Sequence, residues 1–136
     1  MNHGADSIAA DEFLLRRVHQ NHVDPGPPIV IGYVGFRPTP EDTQGLSVYR
    51  EKFITAAEVA ASGRKAGEYY VGRLSVAEVT SLGLTVIADE QANGPPGHAL
   101  IPELSFSAIQ RDKRRLREAQ VHLAALASQA IVQCPG

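Results

Sequence analysis

Apolar residues along this chain fall in short, separated clusters, and most have the length of a strand rather than of a helix. Ile29-Val30-Ile31-Gly32-Tyr33-Val34 is β-branched and follows the turn-forming run Asp24-Pro25-Gly26-Pro27-Pro28, so it predicts a strand. Leu46-Ser47-Val48-Tyr49 predicts a second, entered by a sharp bend at Gly45. Residues 68–74, 84–88 and 98–101 predict three more. Phe13–His19 fits either a short helix begun by Asp11 or a strand, because seven residues do not separate the two periods.

Helices announce themselves by their starts. Thr55 with Glu58, Ser75 with Glu78, and Ser107 with Gln110 each place a hydroxyl three residues before an acid or amide. In that spacing the hydroxyl accepts from the backbone ahead while the longer side chain reaches back. The first helix is expected over 56–61, ending near Gly63, and the second over 76–82, stopped by Gly83. The third is expected to run from 108 to 132. Its Ile109, Leu116, Leu123 and Ala130 recur every seven residues, with Ala119 and Leu126 between them and the polar Asp112 interrupting. That seam is too short for a coiled coil, and it favours a helix packed on its own sheet over one docked on a partner. The order of elements predicts an α+β fold, with a small mixed sheet, two short helices and a long C-terminal helix.

Bulk properties narrow the picture. At 136 residues the chain is expected to form a single domain over 11–136, preceded by a flexible N-terminus over 1–10. The hydrophobic share of 43% and the charged share of 21% are those of a globular protein. A net charge of -2 gives no general pull towards nucleic acid or an anionic membrane. No apolar run approaches the ~18 residues of a membrane span, and the first residues have no signal-peptide pattern. Cys134 stands alone, which excludes an internal disulfide and fits a cytoplasmic location. No internal repeat is present, and composition says nothing of oligomeric state.

The chemistry-bearing residues are mostly cations. Arg16, Arg17, His19 and His22 form one cluster, and in a strand Arg17 and His19 share a face suited to an anion. A plain surface-exposed basic segment is the simpler account. A metal is not expected there, because no Cys, Asp or Glu stands at ligand spacing, and no cofactor is expected elsewhere. The loop Phe36-Arg37-Pro38-Thr39-Pro40-Glu41-Asp42 is stiffened by two prolines, and a rigid charged loop is a functional candidate. Its simpler account is an internal Arg37–Asp42 pair.

Ser47 lies between two apolar neighbours, so it faces either solvent or a cleft. It lacks the glycine-flanked elbow of a hydrolase nucleophile and is not expected to be one. His98 opens a strand after Gly94-Pro95-Pro96-Gly97; a packing role is weighed above a proton-transfer or ligand role. Arg111, Lys113, Arg114, Arg115 and Arg117 spread around the last helix instead of forming a stripe. With no aromatic residue after Phe106, nucleic-acid binding through this run ranks below a solvated face.

Taken in order, Leu15-Arg16-Arg17-Val18-His19, Phe36-Arg37-Pro38-Thr39-Pro40 with Asp42, Leu46-Ser47-Val48-Tyr49, Leu82-Gly83-Leu84 and Gly97-His98-Ala99-Leu100-Ile101 resemble a family of small uncharacterised bacterial proteins. The resemblance covers about residues 13–103 and implies a bacterial source and a self-contained domain, with no catalytic residue to carry over. A fainter likeness to ADP-ribosyltransferase-type folds would make Glu103 the late glutamate, but the serine-threonine-serine strand of those folds is absent. The leading expectation is a binding domain for a protein partner or a small anionic ligand, with Arg17, His19, Arg37, Asp42, Ser47 and His98 as site residues. The alternatives are an enzyme acting on a nucleotide or NAD-like substrate, and nucleic-acid binding.

Overall fold

The structure, a computed structural model, describes residues 7–136. Six strands form one sheet in the order β6-β7-β4-β1-β5-β8. They are β1 (Phe13–His19), β4 (Leu46–Arg50), β5 (Tyr69–Ser75), β6 (Ile87–Ala88), β7 (His98–Ile101) and β8 (Ile131–Gln133). Every ladder in it runs antiparallel. β2 (Val23–Asp24) and β3 (Val30–Ile31) pair as a separate hairpin around the proline-rich turn. Among the described residues there are four α-helices: α1 (Ala56–Ala61), α2 (Val76–Ser81), α3 (Phe106–Arg111) and α4 (Lys113–Ser128). The α+β class, the two short helices and the long C-terminal helix are those expected from sequence.

The ambiguous segment Phe13–His19 is a strand, and it lies at the centre of the sheet. Its alternation decides the matter: Leu14 and Val18 enter the main core, while Leu15 enters a second cluster on the opposite face. Leu46 and Val48 of β4, Leu74 of β5 and Ala99 and Ile101 of β7 join the main core, beneath Leu116, Ala119, Leu123 and Ala127 of α4. The heptad seam therefore packs on its own sheet. Across the sheet, Leu15, Tyr49 and Val71 are covered by Ile54 and by Val59 of α1.

Both predicted short helices have complete capping boxes, at Thr55/Glu58 and Ser75/Glu78. The third start is shifted. Ser105, not Ser107, accepts from the backbone of Ala108, and the helix breaks at Asp112, whose φ of -144° and ψ of 63° are not helical. The chain leaves helix after Ser128, and Ile131–Gln133 become the edge strand β8. Likewise only Val30–Ile31 of the expected 29–34 strand pairs, and Tyr33–Phe36 coil into a 3-10 turn. Only Ile87–Ala88 of the expected 84–88 strand pairs.

The expected flexible segment falls, for residues 1–6, outside the described residues. Beyond it the backbone of Ser7, Ala9 and Ala10 is engaged: Ser7 C=O accepts from Arg50 Nη2, Ala9 N–H donates to Glu12, and Ala10 C=O accepts from Ala77 N–H. The anchor is a nearly buried ion pair. Arg50 Nε and Nη2 donate to the two oxygens of Glu12 at 2.9 and 2.7 Å, with 2% and 8% of the two side chains exposed.

Arg50 chiefly, with smaller help from the Ala9 N–H and Lys52 and against the opposing effect of burial, lowers the Glu12 pKa from 4.5 to about 2. The unfolded chain therefore takes up the proton first, so this stabilisation is complete above about pH 4.5 and is lost as pH falls towards about 2. Replacing Arg50 by Met is expected to cost about 3–5 kcal/mol, because it leaves Glu12 charged and without its arginine. Urea unfolding followed across that pH range checks both: the variant is less stable at pH 7 and its stability falls less on acidification.

Candidate functional site

The site begins where two strands stop pairing. The β1–β4 ladder comprises Leu14↔Arg50 and Leu15↔Tyr49, and then ends. Arg50 N–H already bonds Gly97 C=O towards β7, so by alternation the backbone groups of Ser47 point towards β1. In place of a β1 amide, Arg16 Nη1 donates to Ser47 C=O at 2.8 Å. The same guanidinium donates from Nε and Nη2 to Gly35 C=O at 3.1 and 2.9 Å. Burial lowers the Arg16 pKa to about 10, opposed by the nearby Asp42 carboxylate, so the group is charged at neutral pH. Gly45, at φ +149°, lets the chain enter β4 against β7; a Cβ there would meet Ile101 C=O at 2.8 Å.

A cleft of about 560 Å³ opens beside this gap, walled by Arg17, His19, Ser47 and Tyr49 and by the loop Arg37–Asp42. Arg17 is held in place. Its Nη1 donates to Ser62 Oγ at 2.8 Å, and its guanidinium lies 5.6 and 5.7 Å from the ring centres of Tyr49 and Tyr69. His19 Nδ1 accepts from Asn21 N–H, which puts its proton on Nε2, and Nε2 donates to Glu68 at 2.6 Å. Arg37 is exposed on the loop; its backbone N–H bonds Val34 C=O, and its side chain has no hydrogen-bond or ion-pair partner among the described residues. The internal Arg37–Asp42 pair is not formed. Asp42 Oδ2 instead accepts from Thr39 N–H at 2.7 Å and from Thr39 Oγ1 at 3.2 Å, which closes the turn. Glu41, which also lines both hollows, lies 3.5 Å from Arg64.

Ser47 also lines a neighbouring recess of about 340 Å³ that contains His98, Asp89 and Gln91. His98 stands directly across from Tyr49 on β7, one step along the same face from Ser47. Its ring meets that of Tyr49 edge-on with centres 5.4 Å apart. His98 Nδ1 lies 3.0 Å from Asp89 Oδ2 and 3.0 Å from Asp89 C=O. Both are acceptors, so Nδ1 carries the proton of the neutral ring. Nε2, 3.0 Å from Ser47 Oγ, is then the acceptor for the serine hydroxyl.

All six site residues expected from sequence therefore stand on these two adjoining hollows, Arg17, His19 and Arg37 on the larger and His98 on the smaller, with Asp42 and Ser47 on both. The basic run is exposed throughout and divides. Lys113 and Arg117 flank a small hollow that Arg37 also lines, extending the positive surface away from the cleft. Arg115 lies on another side, near Gly83. Glu103 lines neither cleft; its oxygens accept from Thr85 N–H and Oγ1. Among the described residues no three His, Cys, Asp or Glu side chains are grouped to hold a metal, and no helix is long and apolar enough to cross a membrane.

Sequence reasoning missed Asp89, Tyr49, Tyr69 and the positioning part of Arg16. A usable signal existed for Asp89. Pairing Ile87↔Leu100 and Ala88↔Ala99 as a hairpin puts it opposite His98. No protein-family model, curated protein or solved structure matches the chain.

The two loop-facing arginines should behave differently. Arg16→Leu leaves two carbonyls without their donor and is expected to cost about 3 kcal/mol in urea unfolding. Arg37→Ala, which removes no internal contact, is expected to change stability by less than about 0.5 kcal/mol.

Proposed function

We propose that this is a small bacterial, cytoplasmic domain that binds a small anionic ligand, a carboxylate or a phosphate ester, in the cleft between β1 and the Arg37–Asp42 loop. The observation that carries this reading is the pairing of two unlike arginines on one hollow. Arg17 is pre-set by two tyrosine rings and Ser62, so little side-chain freedom is left to lose on binding. The Arg37 side chain has no internal partner among the described residues and can turn to a ligand.

The nearby acids each have another partner. Asp42 is engaged by Thr39, Glu68 by His19, and Glu41 leans towards Arg64. Two guanidinium forks, one held and one free to turn, offer bidentate, charge-assisted bonds to an oxyanion. Lys113 and Arg117, on the far side of Arg37, would draw an anion towards the same end of the molecule.

Thermal unfolding with inorganic phosphate, AMP and succinate tests the reading. A ligand at 100 times its Kd should add about 2.7 kcal/mol of stability. Arg17→Gln and Arg37→Ala should each weaken binding by about tenfold or more, as loss of a hydrogen bond to a charged group does. Absence of any shift at millimolar concentrations, or full binding by the Arg37 variant, would overturn it.

A further inference from the structure

We infer that Ser47 is a nucleophile, that His98 is its general base and Asp89 the group that positions the imidazole, and that the site hydrolyses an ester whose anionic end lies in the arginine cleft. The choice of an anionic ester rests on the binding reading above; the nucleophile does not.

The geometry has the three parts that such chemistry needs. A hydroxyl faces an imidazole nitrogen at 3.0 Å, and the far nitrogen is held at 3.0 Å by a carboxylate. The partners of Nδ1 leave only one neutral tautomer, and it is the one that presents a lone pair to the hydroxyl. Burial fixes the ring, with 4% of His98 exposed and Tyr49 against it. Ser47 is only half-buried and stands on the wall common to both hollows, so its oxygen is open to the cleft while the base lies behind it. The missing glycine elbow is no obstacle, because such a constellation is defined by geometry and recurs on unrelated folds.

In the first step His98 Nε2 takes the Ser47 proton as Oγ bonds to the substrate carbonyl carbon. The charge that develops on the carbonyl oxygen forms in the cleft lined by Arg17 and Arg37. The carbon–oxygen bond to the leaving alcohol breaks, and the alcohol departs with the proton from Nε2. Water entering from the open cleft then loses a proton to Nε2 and attacks the acyl carbon. Ser47 Oγ leaves and recovers its proton, so ester and water become acid and alcohol.

A neutral alkyl fluorophosphonate tests the nucleophile with no anionic end for the arginines to hold. Intact mass and peptide mapping should show one adduct, on Ser47, and none on Ser47→Ala. His98→Gln should slow labelling by about 100-fold or more. Arg37→Ala should lower kcat/KM about tenfold more on mono-p-nitrophenyl succinate than on p-nitrophenyl acetate. Asp89→Asn should lower kcat on the succinate ester at least about tenfold with KM unchanged, which a purely structural role would not produce.

If His98→Gln does not fold, Ser47→Cys supplies the readout: the introduced thiol should react with iodoacetamide faster than the exposed Cys134 of the same molecule. No adduct, an adduct elsewhere, or a thiol slower than Cys134 overturns the nucleophile. Labelling of Ser47 with no preference for the anionic ester overturns only the assigned substrate class.

Discussion

The interaction on which the site depends is the substitution of a guanidinium for a strand. Once β1 and β4 stop pairing, the carbonyl of Ser47 faces a gap, and a polar group left there without a partner would cost about 1–3 kcal/mol. Arg16 removes the difficulty by reaching across the gap to Ser47 and, with its other two nitrogens, to Gly35. A lysine has no fork with which to span both carbonyls. The consequence is a sheet that stays one body across β1 and β4 while leaving an opening between them. Arg16 therefore holds the wall on which Ser47 stands, and its charge is spent inside the fold, leaving Arg17 and Arg37 to face the cleft.

The division of labour between the faces of the sheet follows from strand alternation. Leu14, Val18, Leu46, Val48, Ala99 and Ile101 take one face and are roofed by α4. The opposite face is covered by Ile54 and by the six residues of α1, which close over Leu15, Tyr49 and Val71. Arg17, Ser47 and His98 continue that face beyond the helix. Tyr49 belongs to both regions, packed in the small cluster and edge-on to His98. A sheet face beside a rigid hydrophobic anchor is a suitable base for side chains that must hold fixed positions.

What the sequence made legible was local. The boxes at Thr55/Glu58 and Ser75/Glu78 form because each involves only four consecutive residues, and nothing distant competes with them. The third helix departs from the expectation at both ends. Ser105 and Ser107 are both plausible caps, and the backbone N–H of Ala108 chose the first. Ile131–Gln133 continue an apolar helical pattern, yet they turn to pair with β5, whose edge would otherwise lie open. The cationic and histidine members of the site could be named because their chemistry is carried by residue type. Asp89 needed one step more, because its significance arises from hairpin register and not from its neighbours in sequence.

Register also separates the two histidines that sequence alone leaves equivalent. His19 and His98 both stand beside the cleft, and each has one ring nitrogen committed by its surroundings. For His19 the commitment runs the wrong way for base chemistry on the cleft: Asn21 N–H occupies the lone pair of Nδ1, and the proton on Nε2 is given to Glu68. For His98 the acceptors on Asp89 claim the proton at Nδ1 and free the lone pair of Nε2, which points at a hydroxyl. Two rings of the same chemistry, fixed in opposite tautomers by the hydrogen bonds around them, divide the roles: one braces the cleft wall, and the other is equipped to accept a proton from it.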